Sequence, residues 1–509
     1  MAMKTNYISI LYPEEPEQAL RTEEPACFQD LNLNQIFRPV LEDDRWQLKE
    51  LYYTLPSEQA VSCYRREVFR DLENEELRSA LETYRKQAVQ ISAYARALFR
   101  DDMSLYDCGQ LLRLCELYRS SALGLKEALE TGAVQSEGLR KVHDHIRVLC
   151  ASDEMKQLEQ DCAAVRAVFA PLRYTMVIRR NEIRFLRSEQ PGFAAEAVEK
   201  LFARFADAET SSSLRKPDEI PVSSLNEEKI LDSLSRQFPE QFEQLLEFAD
   251  KYRGFDTSLA RRLGQEIAYY TEWMRICAPL RQKGLPLALA EFSDEAEHVL
   301  GCYDLALALS SPKEIVQNGY ELRSGEKIMA VSGPNNGGKT TFARCFGQLH
   351  YLAALGLPIP ASYAVLHFSE KVLTHFETED AADSGSGRLR DDLLRLKDMT
   401  DQASEHSAVV INEIFTSTTL QDALMLGEKM LAHLLEKNAY GVLVTFLDEL
   451  ASYGDGVVSM MCRTADEPGH KRLYQIIRTA QTRETYAKEL AASHGLSKET
   501  ILGRIPHAS

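Results

Sequence analysis

A helical body carrying a small β-containing insert, followed by an α/β domain built around a phosphate-binding loop, is the multidomain fold this sequence predicts. Three observations carry it. Long tracts rich in Leu, Ala, Glu, Arg and Gln at helical spacing fill most of the chain before about residue 290. Short β-prone runs alternate with helical patterns after it. One glycine-rich turn has an apolar run on one side and a helical run on the other. At 509 residues the chain exceeds the roughly 250–300 residues that one core supports, so several domains are expected. Its 44% hydrophobic and 27% charged residues exclude wholesale disorder, a collagen-like repeat and a membrane-embedded body.

The first tract, an N-terminal helical core over residues 1–104, includes ELYYTL and YRREVFRDLENEELRSALETYRKQ. A second helical region follows over 105–290, beginning with CGQLLRLCELYRSSALGLKEALE. It is interrupted by an insert at about 171–225, where Tyr174–Ile178 and Ile183–Leu186 flank the polar Arg179-Arg180-Asn181-Glu182 and read as a hairpin. Helix resumes near Asn226. The α/β domain spans about 291–470, with strands expected at Lys327–Ser332, Lys371–Phe376, Ala408–Ile411 and Gly441–Thr445. The tail, Arg472–Ile505 within a C-terminal segment 471–509, reads as helix broken near Gly495.

The formal charge of −18 makes the average surface repel polyanions, so any nucleic-acid contact must be local. The ten cysteines show no C-x-x-C pairing or zinc spacing and read as reduced, mostly buried thiols. The start, MAMKTNYISILYPEEPEQ, is unlike a signal peptide, and no run reaches the roughly 18 apolar residues of a membrane span. A cytoplasmic protein without membrane contact is expected. His375, His406, Trp46 and Trp273 lack partners at ligand spacing and read as structural.

Gly333-Pro334-Asn335-Asn336-Gly337-Gly338-Lys339-Thr340, with Thr341 after it, fits G-x-x-x-x-G-K-[ST] between the strand-like KIMAVS and the helix-like TTFARCFGQLHYLAAL. Glycines let backbone N–H groups curl around the β- and γ-phosphates. Lys339 adds positive charge, Thr340 can ligate Mg²⁺, and the helix directs its positive end at the anion. The bland alternative is a chance glycine turn. The strand Ala408–Ile411 runs into Asn412 and Glu413, which places a carboxylate, Glu413, to polarise an attacking water. Asn412 stands where a charged metal ligand is usual.

GPNNGGKTT, VVINEIFTSTTLQDALMLG and VTFLDELA, in this order, resemble the ABC-type ATPase domain of the MutS family of DNA mismatch-repair proteins. FQDLNLNQIF and YRREVFRDLENEEL resemble the helical core that precedes it. The resemblance touches most of the chain and is strongest over residues 319–455. It implies ATP and Mg²⁺ as cofactors, with Gly333, Asn335, Gly338, Lys339 and Thr340 binding them. It makes Glu413 the water-activating catalytic residue beside Lys339, groups Thr340, Asn412 and Glu413 at the metal, and matches Asp422 to the signature helix. Three features depart from the family: Asn412 replaces Asp, Phe446 replaces a His that would sense the γ-phosphate, and Asp383–Arg390 only partly matches the segment that reaches a partner's nucleotide. Slow hydrolysis is the expectation.

The resemblance also implies lever helices, with the insert as a reduced clamp on duplex or branched DNA. Within Leu172–Arg187, five arginines (Arg173, Arg179, Arg180, Arg184 and Arg187) face one acid, Glu182, for a local net of +4. Such a cluster suits phosphate contacts without base reading. A solvated hairpin edge that blocks aggregation reads equally well. Fewer than about 30 residues precede the core-like sequence, so mismatch-reading and connector domains are expected to be absent. The tail Tyr486–Ile505 has helix-turn-helix spacing but reads better as a dimerisation unit. The leading expectation is a homodimeric, nucleotide-gated DNA clamp in repair or recombination. The alternative is a non-catalytic, nucleotide-dependent scaffold for protein partners.

Overall fold

The computed structural model describes residues 7–44, 46–98, 102–179, 182–187, 225–376, 388–415, 418–464 and 472–479. These fall into two compact units. The first joins residues up to Ile10 with Arg70–Thr271, and the second joins Leu11–Phe69 with the chain from Glu272 onward. Two of the three boundaries lie inside helices, Gln59–Asp71 and Ser258–Gln282.

In the first unit the long amphipathic tracts become helices because each has one apolar stripe to bury. Glu75–Leu98, Leu105–Thr131, Asp153–Phe169 and Pro239–Tyr252 share a core that includes Ile91, Leu111, Leu114, Cys115, Leu158, Phe242 and Phe248. The helix Leu105–Thr131 starts on a capping box. Ser104 Oγ accepts from the N–H of Asp107 at 3.2 Å, and the Asp107 carboxylate accepts from the N–H of Ser104 at 3.0 Å. The expected hairpin forms from β1 (Tyr174–Arg179) and β2 (Glu182–Arg187), paired antiparallel with Ile178 opposite Ile183. Residues 188–224 of the insert lie outside the described residues.

The second unit contains a four-stranded sheet of β3 (Glu291–Phe292), β4 (Glu297–Cys302), β5 (Asn318–Leu322) and β7 (Tyr363–Leu366), and a six-stranded sheet. In the larger one, β11 (Val457–Thr464), β6 (Ile328–Ser332), β10 (Tyr440–Val444), β9 (Ser407–Asn412) and β8 (Lys371–Phe376) run parallel in that spatial order. Four of these are the expected strands. β6 and β10 are buried throughout, as uninterrupted apolar runs require when helices cover both faces. Alternation shows this along β9. Val409 and Ile411 join the core of helices Arg388–Gln402 and Leu420–Glu436. Val410 lies instead against Gly347 of helix Lys339–Ala354. No helix among the described residues is long and apolar enough to cross a membrane.

The helical reading of the tail fails at its start. Arg472–Arg478 is a strand, β12, antiparallel to β11 at the sheet edge. Ile476 is buried while Tyr474, Gln475 and Ile477 are exposed, a pattern that suits an edge strand better than a helix stripe. Residues 480–509, with Gly495 and the proposed pairing helices, lie outside the described residues.

The segment Leu11–Phe69 packs on helix Lys339–Ala354. Phe28 meets Tyr351 and Tyr53 edge-on at 5.4 and 4.8 Å between centroids, Phe37 stacks on Tyr52 at 4.6 Å, and Trp273 lies 5.5 Å from Phe37. Trp273 is fully buried and donates to Pro358 O at 3.2 Å, in keeping with a structural role. Just past the helix, Gly356 has φ +77°, and a Cβ there would lie 2.7 Å from both Ser62 O and Arg65 Cβ. Gly356→Ala therefore combines overpacking with left-handed strain and should destabilise this unit by about 2–4 kcal/mol. Urea unfolding of the variant against wild type measures the loss.

Candidate functional site

β6 ends at Ser332, and the chain turns through the glycine-rich loop into helix Lys339–Ala354. The turn needs left-handed backbone at Gly333 (φ +125°), Asn336 (φ +56°) and Gly338 (φ +97°). It also runs directly over β11. A Cβ at Gly333 would sit 3.0 Å from Cys462 Cβ, and one at Gly337 would sit 2.9 Å from Pro334 O and 3.1 Å from Cys462 Sγ. Glycine is therefore imposed by both torsion and space.

Lys339, at the first position of the helix, is only 5% exposed. A buried ammonium is costly unless its hydrogens are taken up. Here Nζ donates to Gly333 O at 3.0 Å and Pro334 O at 3.3 Å, and it lies 4.4 Å from the centre of the Phe446 ring. Phe446 is held in place by the turn after β10: Thr445 donates its N–H to Val331 O at 3.1 Å, and its hydroxyl accepts from Leu447 N at 3.0 Å. Burial pushes the Cys462 thiol up to about 11, while the Lys339 charge pulls the other way.

Beside the loop opens a cavity of about 680 Å³. Asn335, Asn336, Gly337, Gly338, Lys339, Thr340 and Thr341 line it together with Glu413. Gly333 and Pro334 serve the loop through the carbonyls that accept from Lys339. Glu413 follows β9 with φ +57° and donates its N–H to Val444 O at 3.0 Å. Asn412 closes β9, and its Oδ1 is buried with no hydrogen-bond partner among the described residues. Asp422 lies in the first turn of helix Leu420–Glu436, where its N–H donates to Thr419 Oγ1 at 3.2 Å. Of the segment 383–390, residues 383–387 lie outside the described residues, and Arg390 is exposed on helix Arg388–Gln402.

Several lining residues went unread in the sequence. Tyr474, on β12, has φ +57° and borders Gly338. Asn318 pins it, donating Nδ2–H to Tyr474 O at 3.1 Å and accepting from Ile476 N at 2.8 Å through Oδ1. Ile315, Val316, Tyr303 and Asp304 complete the apolar and polar walls. A strand at Arg472–Arg478 was the signal that would have pointed to Tyr474.

The hairpin arginines lie in the other unit. Arg173 is exposed and donates to Ala170 O and Leu172 O, both at 2.9 Å, and the Arg187 guanidinium lies 5.8 Å from the Phe238 ring centre. Arg179 and Arg184 occupy register positions of one parity, opposite Glu182 and Val177, while Arg187 opposite Tyr174 has the other. Arg180 lies outside the described residues.

Residues 329–504 match the model of MutS domain V. Through this stretch the chain is similar to the MutS family. Among relatives, it is 29% identical over 143 residues to the endonuclease MutS2 of Thermus thermophilus, covering 28% of this chain and 19% of that protein. It is 26% identical over 147 residues to the DNA mismatch repair protein MutS of Bacillus licheniformis, covering 29% and 17%. With the MutS protein homolog 4 of Mus musculus the figures are 21% over 213 residues, covering 42% and 22%. The matched stretch thus spans about one fifth of these relatives. In this stretch the buried Cys462 thiol stays protonated at neutral pH, so iodoacetamide at pH 7.5 should label it only after unfolding. Peptide mass mapping before and after denaturation checks this.

Proposed function

We propose that this MutS-like chain binds ATP with Mg²⁺ at the loop Gly333–Thr340, an ABC-type P-loop, and acts as a homodimeric, nucleotide-gated DNA clamp with slow hydrolysis and no mismatch reading. The observation that supports it most is the buried Lys339 at the floor of a cavity whose loop backbone is left-handed at Gly333, Asn336 and Gly338. This donor set fits a triphosphate: clustered backbone N–H groups, one ammonium and a helix start converge on one space.

When bound, Mg²⁺ would supply positive charge to offset that of the terminal phosphates. Thr340 would be the hydroxyl ligand, and the Oδ1 of Asn412, without a hydrogen-bond partner among the described residues, would be an acceptor near the metal. Lys339 stabilises charge on the phosphate oxygens, and Glu413 orients the attacking water. Tyr474 with Ile315 and Val316 offers an aromatic and apolar wall for a base. Nucleotide state would then pass along Gln59–Asp71 and Ser258–Gln282, the helices within which the chain crosses from one unit to the other. The arginines of the insert would touch phosphates.

The amide at Asn412 and the ring at Phe446 favour one rival, a dimeric scaffold that binds nucleotide without turning it over. One measurement tests the nucleotide site common to both, and hydrolysis separates them. Lys339→Ala should weaken ATP binding on the order of 30-fold, because a charge-assisted hydrogen bond is worth about 1.5–3 kcal/mol. Glu413→Gln should slow single-turnover hydrolysis about a hundredfold, whereas Asn412→Asp should speed it. If neither substitution on β9 alters the rate, the scaffold reading stands.

For DNA, affinity should fall steeply between low and physiological salt, equally for homoduplex and mismatched substrates. Replacing Arg173 and Arg187 together by Ala should reduce the salt slope by about 2. Gel shifts at two salt concentrations report both, and selectivity for one mispair would refute the absence of mismatch reading.

A further inference from the structure

The Lys339 ammonium already has company before any phosphate arrives. Two loop carbonyls accept from it, and the face of Phe446 covers it with 4.4 Å between Nζ and the ring centre. The ammonium is largely shielded from solvent, since Lys339 is 5% exposed and Ser332, Thr445 and Cys462 are buried. Little water therefore competes for the ammonium, and a ring quadrupole acts on it with little screening. Phe446 cannot easily swing away. It follows β10 by one residue beyond Thr445, and Thr445 is tied both to Val331 of β6 and to Leu447.

We propose that Phe446 is a positioning residue that holds Lys339 back against the loop carbonyls and competes with the terminal phosphate for its charge. This rests on the nucleotide reading above and adds to it a determinant of affinity. A phenyl ring donates no hydrogen bond, so a γ-phosphate gains nothing from Phe446 directly. To reach that phosphate, Lys339 must surrender part of its contact with the ring. ATP binding is therefore weaker than the loop alone would allow, and the deficit is larger for ATP than for ADP, which offers one phosphate fewer to draw the ammonium away.

The ring electronics can be altered at nearly constant shape. Replacing Phe446 with mono-, di- and trifluorophenylalanine drains the negative face stepwise, and Phe446→Leu removes it. Affinities for ATP and ADP are read by calorimetry on the full-length protein, with circular dichroism and thermal melting confirming that each variant is folded. ATP should bind progressively tighter along the fluorine series, reaching about two- to tenfold for the trifluoro form, as the size of a cation–π contact implies. ADP should tighten less, and Phe446→Leu should follow the end of the series. A flat series, or one in which ATP binding weakens with fluorination, overturns the role of Phe446 while leaving the nucleotide site intact. Failure of the wild-type protein to bind either nucleotide overturns the nucleotide reading itself, and this proposal with it.

Discussion

The burial of one helix, Lys339–Ala354, on every side is the constraint on which the second unit depends. Thirteen of its residues are buried, from Lys339 through Ala354. A helix enclosed in this way needs apolar cover all round and a partner for each polar group it carries inward. β9 and β10 cover one side. The aromatic segment around Phe28, Phe37 and Tyr52 covers another. Gln348 shows how the polar account is settled. Its Nε2 donates to Leu31 O at 2.9 Å and Asp304 Oδ1 at 3.0 Å, and its Oε1 accepts from Leu305 N at 2.8 Å. Two separate segments, at Leu31 and at Asp304–Leu305, converge on one amide, so the helix that Lys339 begins is held by groups far from the loop.

Backbone strain gathers at the mouth of the same helix. Three of the eight non-glycine residues with positive φ among the described residues, Asn336, Glu413 and Tyr474, line the cavity. Each left-handed non-glycine residue costs on the order of 1 kcal/mol, and such cost persists only where surroundings impose it. At Tyr474 the imposing group is visible, because Asn318 holds the backbone on both sides of the kink. At Glu413 it is the N–H bond to Val444 O.

Much of this was legible in the letters. Strands β6, β8, β9 and β10 announce themselves as short apolar runs, since helices on both faces demand them, and the loop motif needs no tertiary context to be read. The hairpin was visible from two β-prone runs with a polar turn. Tyr474 and Asn318 were not, because Arg472–Arg478 is an edge strand whose solvent-facing residues blur the alternation. The grouping of Leu11–Phe69 with the C-terminal half was equally hidden. Nothing local in FQDLNLNQIF says that its aromatic rings seek partners such as Tyr351 and Trp273.

That long-range grouping bears on how the protein is made. The chain delivers Tyr52 early, yet the hydroxyl that caps its carbonyl, on Tyr351, comes 299 residues later. At about 5–20 residues per second, the ribosome leaves the early aromatic patch without its partners for roughly 15–60 s. Residues 70–271, which leave the tunnel next, can meanwhile collapse onto their own core. The nascent N-terminal segment is thus a natural client for a holding chaperone, and the last part of the molecule to mature is the one that closes around the buried lysine.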